Sequence, residues 1–183
     1  DIMPLPEEKT YTIEDIYSLP EGTRAELIDG RIYYMAPPSG THQKISMFLS
    51  YSITDYIRQK HGSCEVYAAP YAVFLNKDDI NYVEPDISVI CDLSKLDDKG
   101  CHGAPDWIIE IVSPGNPGHD YLTKLVKYQE AGVREYWIVD PRTKCVTVYF
   151  FEGDIWAKPY SFSDSVPGNI YADLTIDFGQ LAL

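Results

Sequence analysis

Apolar residues recur at helical spacing in one long stretch, from Thr41 to Lys60, where Ile45, Phe48, Leu49, Ser52, Ile53, Tyr56 and Ile57 share a face and Gly62 follows just past the end. The spacing predicts the first long helix there. Strand-like runs surround it. Arg24 to Asp29 and Arg31 to Ala36 flank Asp29-Gly30, a dipeptide suited to a tight reversal, and so predict a hairpin. Further strands are expected near Cys64 to Ala69, Tyr71 to Leu75 and Tyr82 to Cys91, the third holding Asp86. A loop rich in Asp, Lys and Gly leads to the apolar strand Trp107 to Val112, and Ser113-Pro114-Gly115-Asn116-Pro117-Gly118 is a break that no regular element crosses. A second helix from about Asp120 to Ala131 stops at Gly132 and feeds a buried strand, Glu135 to Val139. Val146 to Phe151 and Ile155 to Tyr160, joined by Glu152-Gly153-Asp154, predict a second hairpin. Near the start, Thr12 to Asp15 reads as a capped short helix ended by Pro20 and Gly22. The order of elements fits an α/β chain, α+β at its edges: a mixed sheet flanked by helices, with a hairpin appended at each end.

Two carboxylates interrupt this apolar pattern. Asp86 lies in Val83-Glu84-Pro85-Asp86-Ile87-Ser88-Val89-Ile90, and Glu110 in Trp107-Ile108-Ile109-Glu110-Ile111-Val112-Ser113. A buried ionised carboxylate is costly unless it is paired or bound to a metal. Side chains alternate along a strand, so Glu110 points with Ile108 and Val112 into the interior. Carboxylates at matching heights on adjacent strands can share one hard cation, and magnesium usually takes only one or two of them. Phosphodiester hydrolysis is then the leading chemistry, with a nearby lysine to orient water or hold developing charge.

The length of 183 residues suits one domain, residues 1–183, and the apolar fraction of 45% suffices for a full core. No apolar run reaches the roughly 20 residues a membrane span requires, so no membrane partner is expected. The acidic, Pro-rich start, Asp1 to Thr10, is unlike a signal peptide, and a cytoplasmic location is expected. Cys64, Cys91, Cys101 and Cys145 are scattered, which reads as four reduced thiols. The net charge of -13 argues against nonspecific coating of nucleic acid but leaves a nuclease open, because carboxylates around a cation invert their local field.

Ala25-Glu26-Leu27-Ile28-Asp29-Gly30, Pro37-Pro38 with His42, Glu84-Pro85-Asp86, Ile109-Glu110-Ile111-Val112-Ser113-Pro114, Lys124-Leu125 with Tyr128, and Ala131 to Pro141 follow one another in order. Together these blocks resemble the Uma2-like restriction endonucleases of the PD-(D/E)xK nuclease superfamily. The resemblance spans Tyr11 to about Tyr160 and implies a restriction-endonuclease-like fold, cleavage of DNA, dependence on magnesium or manganese, and a homodimer. It assigns Asp86 and Glu110 to the metal-binding acidic positions. The lysine expected two residues after the glutamate is replaced by Val112, so Lys124 on the following helix is the candidate for that role, with Lys127 behind it. It also brings Glu26 towards the site as a further metal or water ligand, and His42 as a polar or proton-relay group.

Blander readings stand beside these. Asp86 after Pro85 is ordinary turn chemistry. Glu110 could be half of a buried ion pair. Glu26 could pair across its hairpin with Arg31, and His42 could cap its helix. Tyr33, Tyr34, Tyr136 and Trp137 read as core before they read as stacking platforms. The functional alternatives are an inactive nuclease-fold module that binds DNA or protein, and a hydrolase of another phosphate compound. A serine or cysteine hydrolase is disfavoured, because Ser113 before Pro114 lacks the flanking glycines of a nucleophile elbow.

Overall fold

A computed structural model describes residue 3 and residues 7–114, 119–154 and 156–183. In chain order the elements are α1 (Ile13–Tyr17), the hairpin β1 (Ala25–Ile28) and β2 (Arg31–Tyr34), α2 (Gly40–Gln59), β3 (Glu65–Ala68), β4 (Ala72–Phe74), β5 (Ile87–Ile90), β6 (Leu96–Asp97), β7 (Gly100–His102), β8 (Trp107–Ile111), α3 (His119–Ala131), β9 (Glu135–Asp140), β10 (Cys145–Phe150), β11 (Trp156–Ser161), β12 (Ser165–Pro167) and β13 (Thr175–Asp177). The expected break at 115–118 lies outside the described residues, as do Ile155 and most of the acidic start.

A six-stranded sheet in the order β11-β10-β9-β8-β5-β3 forms the centre. Within it β8 and β9 run parallel, and the other neighbours are antiparallel. A parallel pair requires a crossover, and α3 supplies it. Alternation along β8 sends Ile109 and Ile111 to one face and Ile108 with Glu110 to the other. On the first face, the α2 residues Ile45, Leu49, Ile53 and Ile57 pack over Trp107, Trp137 and Val139. On the second, Tyr128 and Leu125 of α3 and Ile28 of the N-terminal hairpin pack over Ile108 and Tyr136. The sheet is mixed, with few helices, as the order of elements predicts. The second predicted hairpin, β10 and β11, extends the central sheet at its edge, because β10 also pairs along β9.

The structure departs from the expected elements at three points, the first of which bears on the site. The strand expected from Tyr82 to Cys91 is broken: Tyr82 and Val83 bridge to Leu27 and Val73, and only Ile87–Ile90 joins the main sheet. Asp86 therefore stands at the entrance to β5 rather than within a strand, since Pro85 has no N–H to continue a ladder. Short strands β6 and β7 form a three-stranded sheet with β4 where a loop was expected. The reading of four reduced thiols is corrected for two of them, because Cys64 and Cys91 form a disulfide with their Cα atoms 4.1 Å apart. Pairing of Glu65 with Ile90 puts these cysteines opposite one another one step beyond the ladder, a proximity that their separation of 27 residues conceals.

Candidate active site

The pairing of β5 with β8 sets the site. Ile87 lies opposite Ile109, so the next positions outward are Asp86 and Glu110, on neighbouring backbones and the same sheet face. Asp86 is tied down at both oxygens. Its Oδ2 accepts the Ile111 N–H at 2.7 Å, and His42 Nε2 lies 3.0 Å from Oδ1. Its backbone carbonyl also accepts the Ala69 N–H, at 2.9 Å. His42 does not cap α2. Ser39 does, accepting the His42 N–H at 3.1 Å, which leaves the imidazole free to reach Asp86. The other ring nitrogen, Nδ1, is buried with no hydrogen-bond partner among the described residues.

Glu110 is buried, and Lys124 and Glu26 are buried with it. Lys124 Nζ donates to Glu110 Oε1 at 3.1 Å and lies 2.7 Å from Glu26 Oε1. The Tyr128 hydroxyl donates to the same Glu110 oxygen at 2.7 Å. These contacts follow from helical spacing, because Tyr121, Lys124 and Tyr128 recur at three and four residues along one face of α3. Glu26 comes from β1. Its strand partner is Tyr33, not Arg31, and its Oε2 accepts the Glu84 N–H at 2.9 Å. Both carboxylate oxygens of Glu26 are thus engaged, one by an ammonium and one by backbone. Lys127 turns elsewhere and pairs with Asp29, at 2.5 Å.

Burial pushes the Glu110 carboxyl up to about 8, against the pull of the Lys124 ammonium, while the charges of Asp86 and Glu26 push it further up. Burial alone would lower Lys124, but Glu110 and Glu26 outweigh it and hold the amine above its ordinary value, so it stays charged. Burial, followed by the charge of Glu110, also raises the hydroxyl of Tyr128, which therefore remains a donor.

All five predicted residues, Glu26, His42, Asp86, Glu110 and Lys124, line one pocket of about 210 Å³. The ion-pair reading of Glu110 and its site reading meet in Lys124, a single residue. Sequence reasoning missed Tyr121, whose hydroxyl accepts the Ser113 N–H at 3.3 Å, and the pair Arg24–Glu84 at 2.7 Å on the pocket wall. The tyrosine spacing on α3 was the available signal for Tyr121. Arg24 and Glu84 are 60 positions apart and gave none.

The donors suit a hard cation, since Asp86 and Glu110 are oxygen ligands from adjacent backbones. Among the described residues no group of three or more His, Cys, Asp or Glu side chains could hold an ion by itself. A two-carboxylate site that completes its shell with water and phosphate oxygens is what these residues fit.

The Uma2 family model, described as "Putative restriction endonuclease", matches residues 13–177. An uncharacterized protein of Synechocystis sp. is 27% identical over 142 residues, which cover 76% of this chain and 73% of that protein. A crystal structure from Anabaena variabilis, described as "a putative nuclease belonging to DUF820", is similar with a TM-score of 0.76. That similarity covers 93% of this chain and 96% of the other at 22% identity, a level at which it speaks for the fold.

Proposed function

The chain belongs to the Uma2 family, and on that premise we propose that it is a divalent-metal-dependent endonuclease that hydrolyses DNA phosphodiester bonds. The observation that carries the proposal is the convergence of Asp86, Glu110 and the Lys124 ammonium on one pocket, with Lys124 3.1 Å from Glu110. Asp86 and Glu110 would hold magnesium or manganese, which when bound supplies a Lewis acid to the phosphoryl oxygen and lowers the pKa of a coordinated water.

The remaining roles belong to the chain's own residues. Lys124, kept charged between two carboxylates, takes on the role of the strand lysine that Val112 replaces and stabilises negative charge developing on the phosphoryl group. Glu26 is a positioning residue in this scheme, because its Oε1 holds the ammonium and its Oε2 is committed to the Glu84 N–H. Tyr128 fixes Glu110 through Oε1. His42 fixes Asp86 through Oδ1, and its buried Nδ1 is a second polar atom beside the pocket. The homodimer implied by the family resemblance is part of the same proposal.

A second reading, a nuclease-fold module that binds a cation or DNA without turnover, is favoured by one observation: Lys124 is already held by two carboxylates. One assay separates the two. Duplex, nicked, branched and single-stranded DNA are incubated with magnesium or manganese and wild type, Asp86→Ala or Lys124→Ala. Cleavage by wild type that both variants lose is the expected result. Cation binding without cleavage of any substrate would favour the module.

A further inference from the structure

The pocket is poorly equipped to grip a duplex. Arg24 and Lys124 are the cations in its lining, and each is already paired, Arg24 with Glu84 at 2.7 Å and Lys124 with Glu26 at 2.7 Å. A duplex is held by many lysine and arginine contacts to closely spaced phosphates, and among the described residues this mouth offers none that is unpaired. Apolar surface takes their place. Tyr34 and Met47 line the mouth with 63% and 71% of their surface exposed, so Tyr34 is not the core residue its strand suggested.

Tyr34 also forms a wall of a second cleft of about 480 Å³, lined as well by Asp15 of α1 and Ile32 of β2. There the lining includes Lys9 and Arg31, balanced by Glu8 and Asp15, in a chain whose net charge is -13. Among the described residues Arg31 forms no salt bridge, Lys9 Nζ sits over the Tyr11 ring 4.7 Å from its centroid, and the Asp15 carboxylate accepts the Thr12 N–H at 2.8 Å. An exposed aromatic between a reactive pocket and a cleft that offers the unpaired Arg31 guanidinium is the arrangement that receives a single strand: one base stacks, and the backbone passes on to a positive group.

We propose that Tyr34 and the Lys9 and Arg31 cleft bind an unpaired nucleic-acid strand where it leaves the pocket, a base stacking on Tyr34 and the following phosphate meeting Arg31. The identity of the bound chain rests on the nuclease reading. The preference for an unpaired strand rests on the distribution of aromatic and cationic groups.

The test is fluorescence-anisotropy binding of a short labelled DNA strand, and of the same strand in a duplex, in calcium across a range of salt, with cleavage of both followed in magnesium. The single strand is expected to bind more tightly than the duplex. Tyr34→Ala should weaken single-strand binding by about 5- to 150-fold and Tyr34→Trp should restore it, the range set by loss of one stacking contact. Arg31→Ala should reduce the slope of log affinity against log salt by about 0.7, the share of one phosphate on a single strand. Duplex binding as tight as single-strand binding, or binding indifferent to Tyr34, overturns the proposal and leaves the nuclease reading standing if cleavage is still seen. Failure to bind or cleave any nucleic acid overturns both. A dimer that Tyr34→Ala converts to monomer with binding unchanged, read by sedimentation, assigns the face to a second copy of the chain and also overturns the proposal.

Discussion

Replacing Lys124 with Met keeps most of the side chain's volume and removes the charge shared by Glu26 and Glu110, which lie 2.7 and 3.1 Å from Nζ. At an effective dielectric constant near 20, each of these contacts is worth roughly 5 to 6 kcal/mol of Coulomb attraction when its carboxylate is ionised, most of it offset by the cost of taking the charges out of water. The net effect of stranding the carboxylates is better judged from buried pairs that have lost one partner, a loss of about 3–5 kcal/mol. For a chain of this size that corresponds to a fall in melting temperature of roughly 6–20 °C. The loss should grow with pH. Glu110 is raised from 4.5 to about 8 in the fold, so the native state keeps a proton that the unfolded chain has already released, and this contribution to stability, full below 4.5, is lost as pH rises through about 8. In the variant the ammonium no longer pulls Glu110 down, so the decline extends to higher pH. Guanidinium denaturation of both proteins across that range measures it. Combining Lys124→Met with Glu26→Gln and Glu110→Gln should restore most of the lost stability, because neutral groups tolerate burial. A loss below about 1 kcal/mol, or one that does not vary with pH, would refute the reasoning.

The proposed cation site offers an independent check: with Glu110 as a ligand, protons would compete with the cation for it, so magnesium or manganese binding measured by calorimetry should strengthen as pH rises towards about 8 and level off above it. Glu135 is wholly buried and accepts from Trp137 Nε1 at 2.7 Å, the Asn169 N–H at 2.8 Å, Asn169 Nδ2 at 2.9 Å and the Ile170 N–H at 3.0 Å. Glu135→Ala strands those donors, so at about 1–3 kcal/mol for an unsatisfied group the loss should reach several kcal/mol, with cleavage near 169–170 by an added protease as the local readout. Replacing Cys64 and Cys91 by Ser releases a loop of 27 residues' separation. Chain entropy puts that loss near 3.5 kcal/mol in denaturant unfolding under nonreducing conditions, and equal stability of the two proteins would show that the bridge constrains little.

Local rules made much of the fold legible. The repeat of Ile45, Leu49, Ile53 and Ile57 marks α2, and all four are buried. Asp29-Gly30 marks the turn and takes positive φ values of 49° and 77°. Glu110 was visible because apolar neighbours on both sides leave a carboxylate no solvent. What stayed hidden depends on partners remote in sequence. The disulfide needs the register of β3 on β5, and β12 and β13 pair only with each other through three residues apiece, too few for a periodic signal. Glu135 reads as the first residue of a buried strand, and only the return of Asn169 and Ile170 explains how its carboxylate is satisfied. Asp86 reads from the sequence as a strand residue but stands at the entrance to β5, because the bend at Glu84-Pro85 follows from where Tyr82 and Val83 find their partners.

The parallel pairing of β8 with β9 has a bearing on how such a site can change over generations. Because the chain must cross the sheet to begin β9, the crossover helix returns over Glu110, and position 124 reaches its carboxylate from only 14 residues downstream. Two routes to the same point in space are therefore open to a basic side chain: the strand itself, two residues beyond the glutamate, and the helix that follows. With the helical route taken, position 112 is released from any ionic duty and can become the buried Val112 it is here. The topology would let a basic side chain move between helix and strand by one substitution at each of two positions, with the backbone unchanged.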